Sequence, residues 1–483
     1  MKKEHEVKPK KTPEKTPEKT KVLILGGTGE MGQWFTRFFG ERGYEVTVWG
    51  KGGKVEIARK MGVPFASNLD SAISESDIVI VSVPINVTEE TIAETAPKMK
   101  AGSLLMDFTS TKVKPVEAMK KFAPPDVEVL GTHPMFGPTI PSLRGQTVIL
   151  VPVEGRSEKW FPVIRELFEE GGAHVEVTKA DEHDRLVSVV QGLTHFAYIS
   201  IGTTIDRLDF DVRKSRKFVS PVYDIMLDFV GRILGQNPYL YALIQMENPS
   251  VIEVHDAFLA ECKNLSEMVR EHDEEGFVRK MKSASLKYGD TSHALRRSDK
   301  LINSRIAEYE TILNSIGKVC GFYHVYSGKT HVGMLEKVKP DEVLLSKLVS
   351  KGTSPQIKNK YIRLKLENLR LLSETELREW RKENLEHTVR DIAVLIPEGA
   401  NPEIILGAIC TNEHLAVCEI SDIYTGAGGT KIEKESRRTE RTGVTYRITI
   451  FGDCNADQVE KETTELLCGL GCRIREKNLK PKK

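Results

Sequence analysis

The sequence is short of several things. Its 483 residues include only seven cysteines and four tryptophans, and aromatic residues make up 7%. No uninterrupted apolar run of about 18 residues occurs, so no membrane span is expected. The opening segment, MKKEHEVKPKKTPEKTPEKTK, lacks the apolar core of a secretory signal, and a cytoplasmic location is expected. Net charge is almost absent as well: 70 Lys+Arg stand against 69 Asp+Glu, leaving +1. Without a field of one sign, neither nucleic acid nor anionic lipid is expected as the main partner, although local basic patches stay open. Five of the cysteines lie beyond residue 400. Cys468 and Cys472 sit four apart on a predicted helix, with no second pair and no histidine cluster beside them. Reduced thiols and no metal site are therefore expected.

What is there fits an ordinary globular protein, with 40% hydrophobic and 29% charged residues. The length allows about three domains. Residues 1–19 repeat TPEK and carry nothing to bury, which predicts a disordered tail. From Lys21 the texture changes. KVLIL, EVTVW, DIVIVSVP, SLLMDFTS, VEVLGTHP and TVILVPVE are short apolar runs, several of them separated by helical stretches. That alternation predicts a Rossmann-type, doubly wound α/β domain over residues 20–180. Residues 181–318 read as helices throughout, and such apolar helices predict a homodimer. Residues 319–385 form a small mixed linker module, in which Ser373 and Glu376 have the spacing of a helix capping box. Residues 386–477 follow the order β-α-β-β-α-β, which predicts an α+β ferredoxin-like domain.

After the first strand, Gly27-Thr28-Gly29-Glu30-Met31-Gly32 fits G-x-G-x-x-G and opens a helix. In that context the motif predicts a dinucleotide site. Gly27 is expected to permit the tight turn, Gly29 to let a pyrophosphate approach the backbone, and Gly32 to bring helix and strand together. The second strand ends in VTVWGKGGK. Where an NAD enzyme usually carries an acidic residue there are Gly50, Lys51 and Lys54. Small and basic residues suit a 2′-phosphate, so NADP is favoured over NAD, with solvated lysines as the alternative.

Two segments end later strands. DFTSTK contains Ser110 and Lys112, and GTHPMFGP contains His133. In open α/β sheets ligands bind beyond the carboxyl ends of strands, which places both segments over a nicotinamide. Removing hydride from an alcohol carbon leaves a hydroxyl proton to be taken, and histidine is the usual acceptor near neutral pH. Ser110 is expected to orient it. His183 reads as structural or surface-exposed.

HPMFGP after a Rossmann half, with D-x-x-S-x-K before it, resembles the prephenate dehydrogenase family. The resemblance continues through QGLTHF, SPVYDIMLDFVGRILGQNPYLYALIQM and GFVRKMKSASLKYG, about residues 20–300 in all. It implies that His133 accepts the proton of the C4 hydroxyl and that Ser110 bridges histidine, substrate and nicotinamide. It also implies that Arg232 binds a substrate carboxylate, with Gln236 and His195 in the same pocket. A guanidinium suits this dicarboxylic acid because it offers two parallel N–H donors. Asp224 departs from the arginine that the bacterial relatives carry after SPIY. That leaves the choice open between prephenate and arogenate, in which an amine replaces the side-chain keto group.

RDIAVLIP, EISDIYTG, YRITIF and GCRIRE, over about residues 389–476, resemble the ferredoxin-fold anticodon-binding domain of phenylalanyl-tRNA synthetase. The resemblance implies RNA contacts through Arg437, Arg438, Arg441, Arg447, Arg473 and Arg475. Glu433, Glu435 and Glu440 dilute that basic patch, and amino-acid sensing or packing are the alternatives.

Overall fold

Short runs of Val, Ile and Leu that are apolar on both faces can only be satisfied inside a sheet covered by helices on both sides. A computed structural model, which describes residues 20–347, 361–424 and 442–475, shows this sheet at the start of the chain. The expected tail, 1–19, lies outside the described residues. The chain forms two compact units, divided between Gly289 and Asp290.

The first unit begins with β1 (Lys21–Leu25), α1 (Glu30–Gly40), β2 (Glu45–Trp49), α2 (Val55–Met61), α3 (Leu69–Glu75), β3 (Ile78–Val81), α4 (Ile85–Thr95), β4 (Leu104–Asp107), α5 (Val113–Phe122), β5 (Glu128–Pro134), β6 (Thr147–Pro152), α6 (Trp160–Glu170) and β7 (His174–Val177). The strands make one sheet in the order β2-β1-β3-β4-β5-β6-β7. All neighbours are parallel except β5 and β6. The order turns back at β1, which puts the glycine turn and the ends of β4 and β5 along one rim of the sheet. One face of the sheet packs on a cluster containing Trp34, Phe35, Phe38 and Phe39 of α1, and the other on Ile73, Ile92 and Met119.

Helices then continue the unit: α7 (Ala180–Val187), a π-turn over Ser188–Leu193, α8 (Thr194–Arg207), α9 (Val212–Ser215), α10 (Pro221–Leu234), α11 (Pro238–Glu247), α12 (Val251–Glu271) and α13 (Glu274–Tyr288). From α7 through α8 the chain is one helix, Ala180–Arg207. By length and mean hydropathy (1.2) it could cross a membrane, and little of it is buried within the single chain. Counting uninterrupted apolar residues missed this, because polar residues punctuate the helix. Large apolar side chains on these helices stay exposed, among them Tyr239, Met246 and Leu286.

The second unit holds α14 (Thr291–Leu313), β8 (Val319–His324), β9 (Lys329–Val338), β10 (Glu342–Lys347), β11 (Tyr361–Lys365), β12 (Leu369–Leu371), α15 (Glu374–Asn384), β13 (His387–Leu395), α16 (Pro402–Ile409), β14 (Leu415–Tyr424), β15 (Gly443–Phe451), α17 (Ala456–Gly469) and β16 (Arg473–Ile474). The stretch expected to be one helical domain, 181–318, is thus divided. Gly289, at φ +72, ends α13, and α14 groups with the strands that follow. A five-stranded sheet runs β11-β10-β9-β8-β12, and a four-stranded antiparallel sheet runs β14-β15-β13-β16. Ser373 and Glu376 form the capping box at the start of α15.

Cys410 and Cys418 are joined in a disulfide between the end of α16 and β14. This corrects the expectation that all thiols are reduced. The turn between helix and strand brings the two α-carbons to 5.9 Å, within disulfide range, although nothing in their spacing marks them as a pair.

The glycine turn also corrects the sequence reading. The left-handed residue is Gly26 (φ +83), not Gly27, and a Cβ there would run into the Ser82 carbonyl. Gly27 is needed instead because Val48 of β2 lies where its Cβ would be. Gly26→Ala should therefore cost about 2 kcal/mol or more of stability, combining left-handed strain with a backbone clash. Gly40→Ala, with open space around it, should stay within about 0.5 kcal/mol. Urea unfolding of the two variants compares them directly, and equal midpoints would reject this account of the turn.

Candidate active site

The turn after β1 can receive a phosphate. Gly26 donates its N–H to the Trp49 carbonyl and Gly29 donates to Gly26, which coils the backbone tightly at the start of α1. A Cβ on Gly32 would strike Gly26, whereas one on Gly29 would meet only the Gly26 carbonyl at 3.2 Å. The space beside Gly29 is therefore open, as close approach of a pyrophosphate requires. Thr28 is buried, and its Oγ1 lies 2.6 Å from where a Cβ on Gly50 would stand. A larger residue at position 50 would require the Thr28 hydroxyl to shift. Met31 packs against the aromatic cluster, and Lys51 is exposed at the end of β2.

Helix α1 braces both chemical segments through its aromatic face. Phe35 stacks on Phe108 with ring centroids 4.0 Å apart, and Trp34 meets Phe136 at 5.4 Å. The Trp34 indole also donates to the Ile140 carbonyl at 2.9 Å. Phe108 belongs to DFTSTK, and Phe136 to HPMFGP. The helix that opens the glycine turn thus holds the ends of β4 and β5 in place.

Behind those ends lies a buried ion pair. The Lys112 ammonium, with no exposed surface, contacts the Asp107 carboxylate and donates to the Thr132 carbonyl at 2.9 Å. Asp107 accepts backbone N–H bonds from Thr109 and Thr132. Burial pushes the Lys112 pKa down, and Asp107 opposes that shift. Lys112 is therefore a structural cross-link one residue from His133. Removing either partner would strand a buried charge, at a cost of roughly 3–5 kcal/mol.

His133 is 2% exposed. Its Nδ1 lies 2.9 Å from Nε2 of His183, and its Nε2 lies 3.3 Å from the Gln191 side-chain nitrogen. His183 Nδ1 lies 2.7 Å from the Asp184 carboxylate. That carboxylate also accepts the backbone N–H groups of Lys112 (2.7 Å) and Val113 (3.0 Å), capping the start of α5. His183, expected to be structural or at the surface, is buried against the predicted catalytic histidine. Its only sequence signal was E-H-D at a helix start just after the last strand. Burial first, then His183 and Lys112, hold the His133 pKa well below its ordinary 6.5. Burial also lowers His183, against the pull of its Asp184 hydrogen bond. Ser110 is half-buried just past β4 and makes no side-chain hydrogen bond among the described residues. No Ser110–His133 hydrogen bond is present among the described residues; His183 and Gln191 face the two ring nitrogens of His133 instead.

Further along the same helix a second cluster gathers. The rings of His195 and Tyr241 meet edge-on at 4.8 Å, and the Tyr241 hydroxyl donates to Gln236 Oε1 at 2.9 Å. Burial raises the Tyr241 pKa while the Arg232 charge opposes it. His195 Nδ1 is buried without a partner among the described residues. Arg232 is exposed and has no ion-pair partner among them. Asp224 is taken up by Arg216, which also holds Asp228. Gln236 and His195 thus meet on Tyr241, a residue the sequence reading overlooked, while Arg232 lies one helical turn before Gln236 in the chain. Among the described residues no hydrogen bond or ring contact joins this cluster to His133; the helix Ala180–Arg207 carries residues of both. The π-turn is pinned by Gln245, which donates to the Gly192 carbonyl and accepts from His255.

Two family models match consecutive stretches of the chain. The nucleotide-binding domain of prephenate dehydrogenase covers residues 35–177, and its dimerization domain covers 179–283. A probable arogenate/prephenate dehydrogenase of Methanocaldococcus jannaschii is 38% identical over 460 residues, 94% of this chain and 98% of that protein. The chain belongs to the prephenate/arogenate dehydrogenase family. It is an oxidoreductase of aromatic amino-acid biosynthesis with a nucleotide-binding domain. The T-protein of Enterobacter agglomerans is 31% identical over 57% of this chain and 69% of its own length. Among solved structures, an A. aeolicus prephenate dehydrogenase in complex with hydroxyphenyl propionate and NAD+ aligns over 56% of this chain and 98% of its own, at 21% identity and a TM-score of 0.47.

In the second unit, of the arginines expected to meet RNA, Arg447 is engaged by a carboxylate. Arg447 forms a two-pronged ion pair with Asp391 across the β13–β15 ladder. Arg473 begins the short β16 and Arg475 follows it, while Arg437, Arg438 and Arg441 lie outside the described residues.

The lowered histidines make stability depend on pH with a definite sign. In the unfolded chain His133 and His183 take up protons near 6.5, and in the folded chain only at lower pH. The unfolded state therefore binds more protons just below about 6.5, so their contribution is full above that value and is lost as pH falls beneath it. The urea midpoint of the wild type should drop between about pH 7 and about pH 5 more steeply than that of His133→Asn. Equal slopes would mean that His133 is not held neutral by the fold.

Proposed function

We propose that this protein oxidatively decarboxylates prephenate to 4-hydroxyphenylpyruvate, with arogenate as the alternative substrate. The observation that carries the reading is a buried, neutral histidine at the carboxyl end of β5, with one ring nitrogen tied to His183 and the other turned to an amide donor. Bound nicotinamide would supply the acceptor for the hydride leaving C4. His133 takes the C4 hydroxyl proton at the same carbon, and the ring carboxylate departs as CO₂ as the ring becomes aromatic. The chain's own share is orientation, proton acceptance and placement of charge. Ser110, unengaged by protein groups, is free to hydrogen-bond the same hydroxyl.

Arg232, without an ion-pair partner among the described residues, supplies a guanidinium for a substrate carboxylate, and Gln236 and His195, which meet on Tyr241, are read as its companions in substrate binding. Because Arg216 neutralises Asp224, that residue does not repel an anionic ligand as strongly as its charge suggests. Gly27, Thr28, Gly29, Met31 and Gly32 hold the cofactor. Exposed Lys51, beside Gly50 where the Thr28 hydroxyl crowds the space a side chain would take, favours the 2′-phosphate of NADP over NAD. The exposed apolar surface of the helical region, together with the match to a dimerization domain, supports a homodimer. The strand order of the C-terminal sheet supports a ferredoxin-like accessory domain.

Rates measured with both substrates and both cofactors test the assignment; turnover of neither substrate would reject it. His133→Asn should lower kcat by about 100-fold or more with cofactor binding retained. Arg232→Ala should chiefly raise KM. Since the base must be unprotonated and its pKa is depressed, the acid limb of kcat/KM should lie below the ordinary histidine value of 6.5.

A further inference from the structure

Three hydrogen-bonding groups in a row leave the protons of His133 little choice. A carboxylate has only acceptors. Asp184 is fixed by two backbone N–H groups at the start of α5, so it cannot turn away from His183. His183 must therefore carry its proton on Nδ1, 2.7 Å from that carboxylate. In a neutral ring the His183 Nε2 is then bare and can only accept. Its neighbour at 2.9 Å is His133 Nδ1, which must donate. The remaining nitrogen of His133, Nε2, is left with a lone pair.

We propose that His183 and Asp184 are positioning residues that fix the tautomer of His133, keeping its Nε2 bare and directed at the substrate. The inference rests on the reading of His133 as the proton acceptor. Gln191 supplies an independent check. Its side-chain nitrogen faces His133 Nε2 at 3.3 Å, as a donor should face a lone pair, and its Oε1 is buried without a partner among the described residues. The opposite amide orientation would set oxygen against the bare nitrogen. The Gln191 N–H thus stands where a substrate hydroxyl would donate. When that hydroxyl gives its proton to Nε2, His133 becomes a cation hydrogen-bonded through His183 toward the Asp184 anion. The charged groups around the pair are Asp184, Lys112 and Asp107. Lys112 disfavours that cation, while the Asp184 carboxylate, reached through His183, favours it once the proton has been transferred.

Two substitutions at one position separate the two ends of His183. His183→Gln puts an amide oxygen near the old Nε2 and should still accept from His133. His183→Asn reproduces only the Nδ1 end, so it should keep Asp184 engaged and release His133. The direct probe is ¹⁵N NMR of histidine-labelled protein without substrate, read near neutral pH. The wild type and His183→Gln should show His133 with bare Nε2 and protonated Nδ1, and His183→Asn should show a mixture. In turnover, His183→Asn should lose about 100-fold in kcat with little change in KM, and His183→Gln less than about tenfold. A wild-type spectrum with the His133 proton on Nε2 overturns the proposal. So does a His183→Asn variant that keeps the wild-type kcat. The spectrum requires no substrate. If the protein turned over neither prephenate nor arogenate, the functional reading would fail while the spectrum still decided the tautomer. If His183→Asn did not fold, the wild-type spectrum alone would decide it.

Discussion

One carboxylate ties the first unit together. Asp184 opens the helical region, yet its oxygens accept the first backbone N–H groups of α5 in the nucleotide-binding region and the ring N–H of His183. Helix starts leave N–H groups without internal partners, and a buried one must find an acceptor. Here the acceptor arrives from another part of the fold. The same bonds that satisfy a helix end therefore set where the long helix crosses the rim of the sheet. Asn248 adds a further tie by donating to the Asp184 carbonyl. The site geometry follows from this anchoring, because His183, Gln191 and His195 all ride on the anchored helix.

Rigidity on the sheet side comes from two different sources. The aromatic face of α1 clamps the segments around Phe108 and Phe136 through dispersion and ring geometry. The Asp107–Lys112 pair cross-links the same segments from behind with charge. A buried pair is costly to form, and an apolar replacement often stabilises as well. What the pair provides here is position: Lys112 reaches the carbonyl next to His133, and its ammonium also helps keep that ring neutral. A general base that must be unprotonated gains from a nearby cation as long as the anion beyond it can support the proton once transferred.

Much of the fold and several residues of the candidate site were open to inspection in the residues alone. The sheet announces itself because continuous apolar runs such as KVLIL and DIVIV have no other stable place to go. His133 and Arg232 could be found because they sit in distinctive strings. What escaped notice were features created only by packing. The doublet Gly26-Gly27 can be read in two registers, and only the approach of Ser82 and Val48 assigns the left-handed position. E-H-D at 182–184 looks like a solvated first turn, since nothing local says that its histidine and aspartate face inward. Tyr241 was hidden among apolar neighbours in a helix, and the buried state of Lys112 depends on a carboxylate five residues earlier whose direction a string of letters does not show. The Cys410–Cys418 pairing depends on a helix-to-strand turn in the same way.

The π-turn at Ser188–Leu193 has a geometric effect. On a regular α-helix, twelve residues carry a side chain about 120° around the axis, so His183 and His195 would point to different quadrants. A π-turn accommodates one residue beyond the regular count, which brings that angle back to about 20°. The widened turn works as a phase corrector, aligning an early histidine with a late one along a single edge. Deleting one residue within the turn would restore an unbroken helix and still leave the two histidines about 20° apart, since eleven regular residues carry that angle, whereas regularising the turn without a deletion would rotate them out of line.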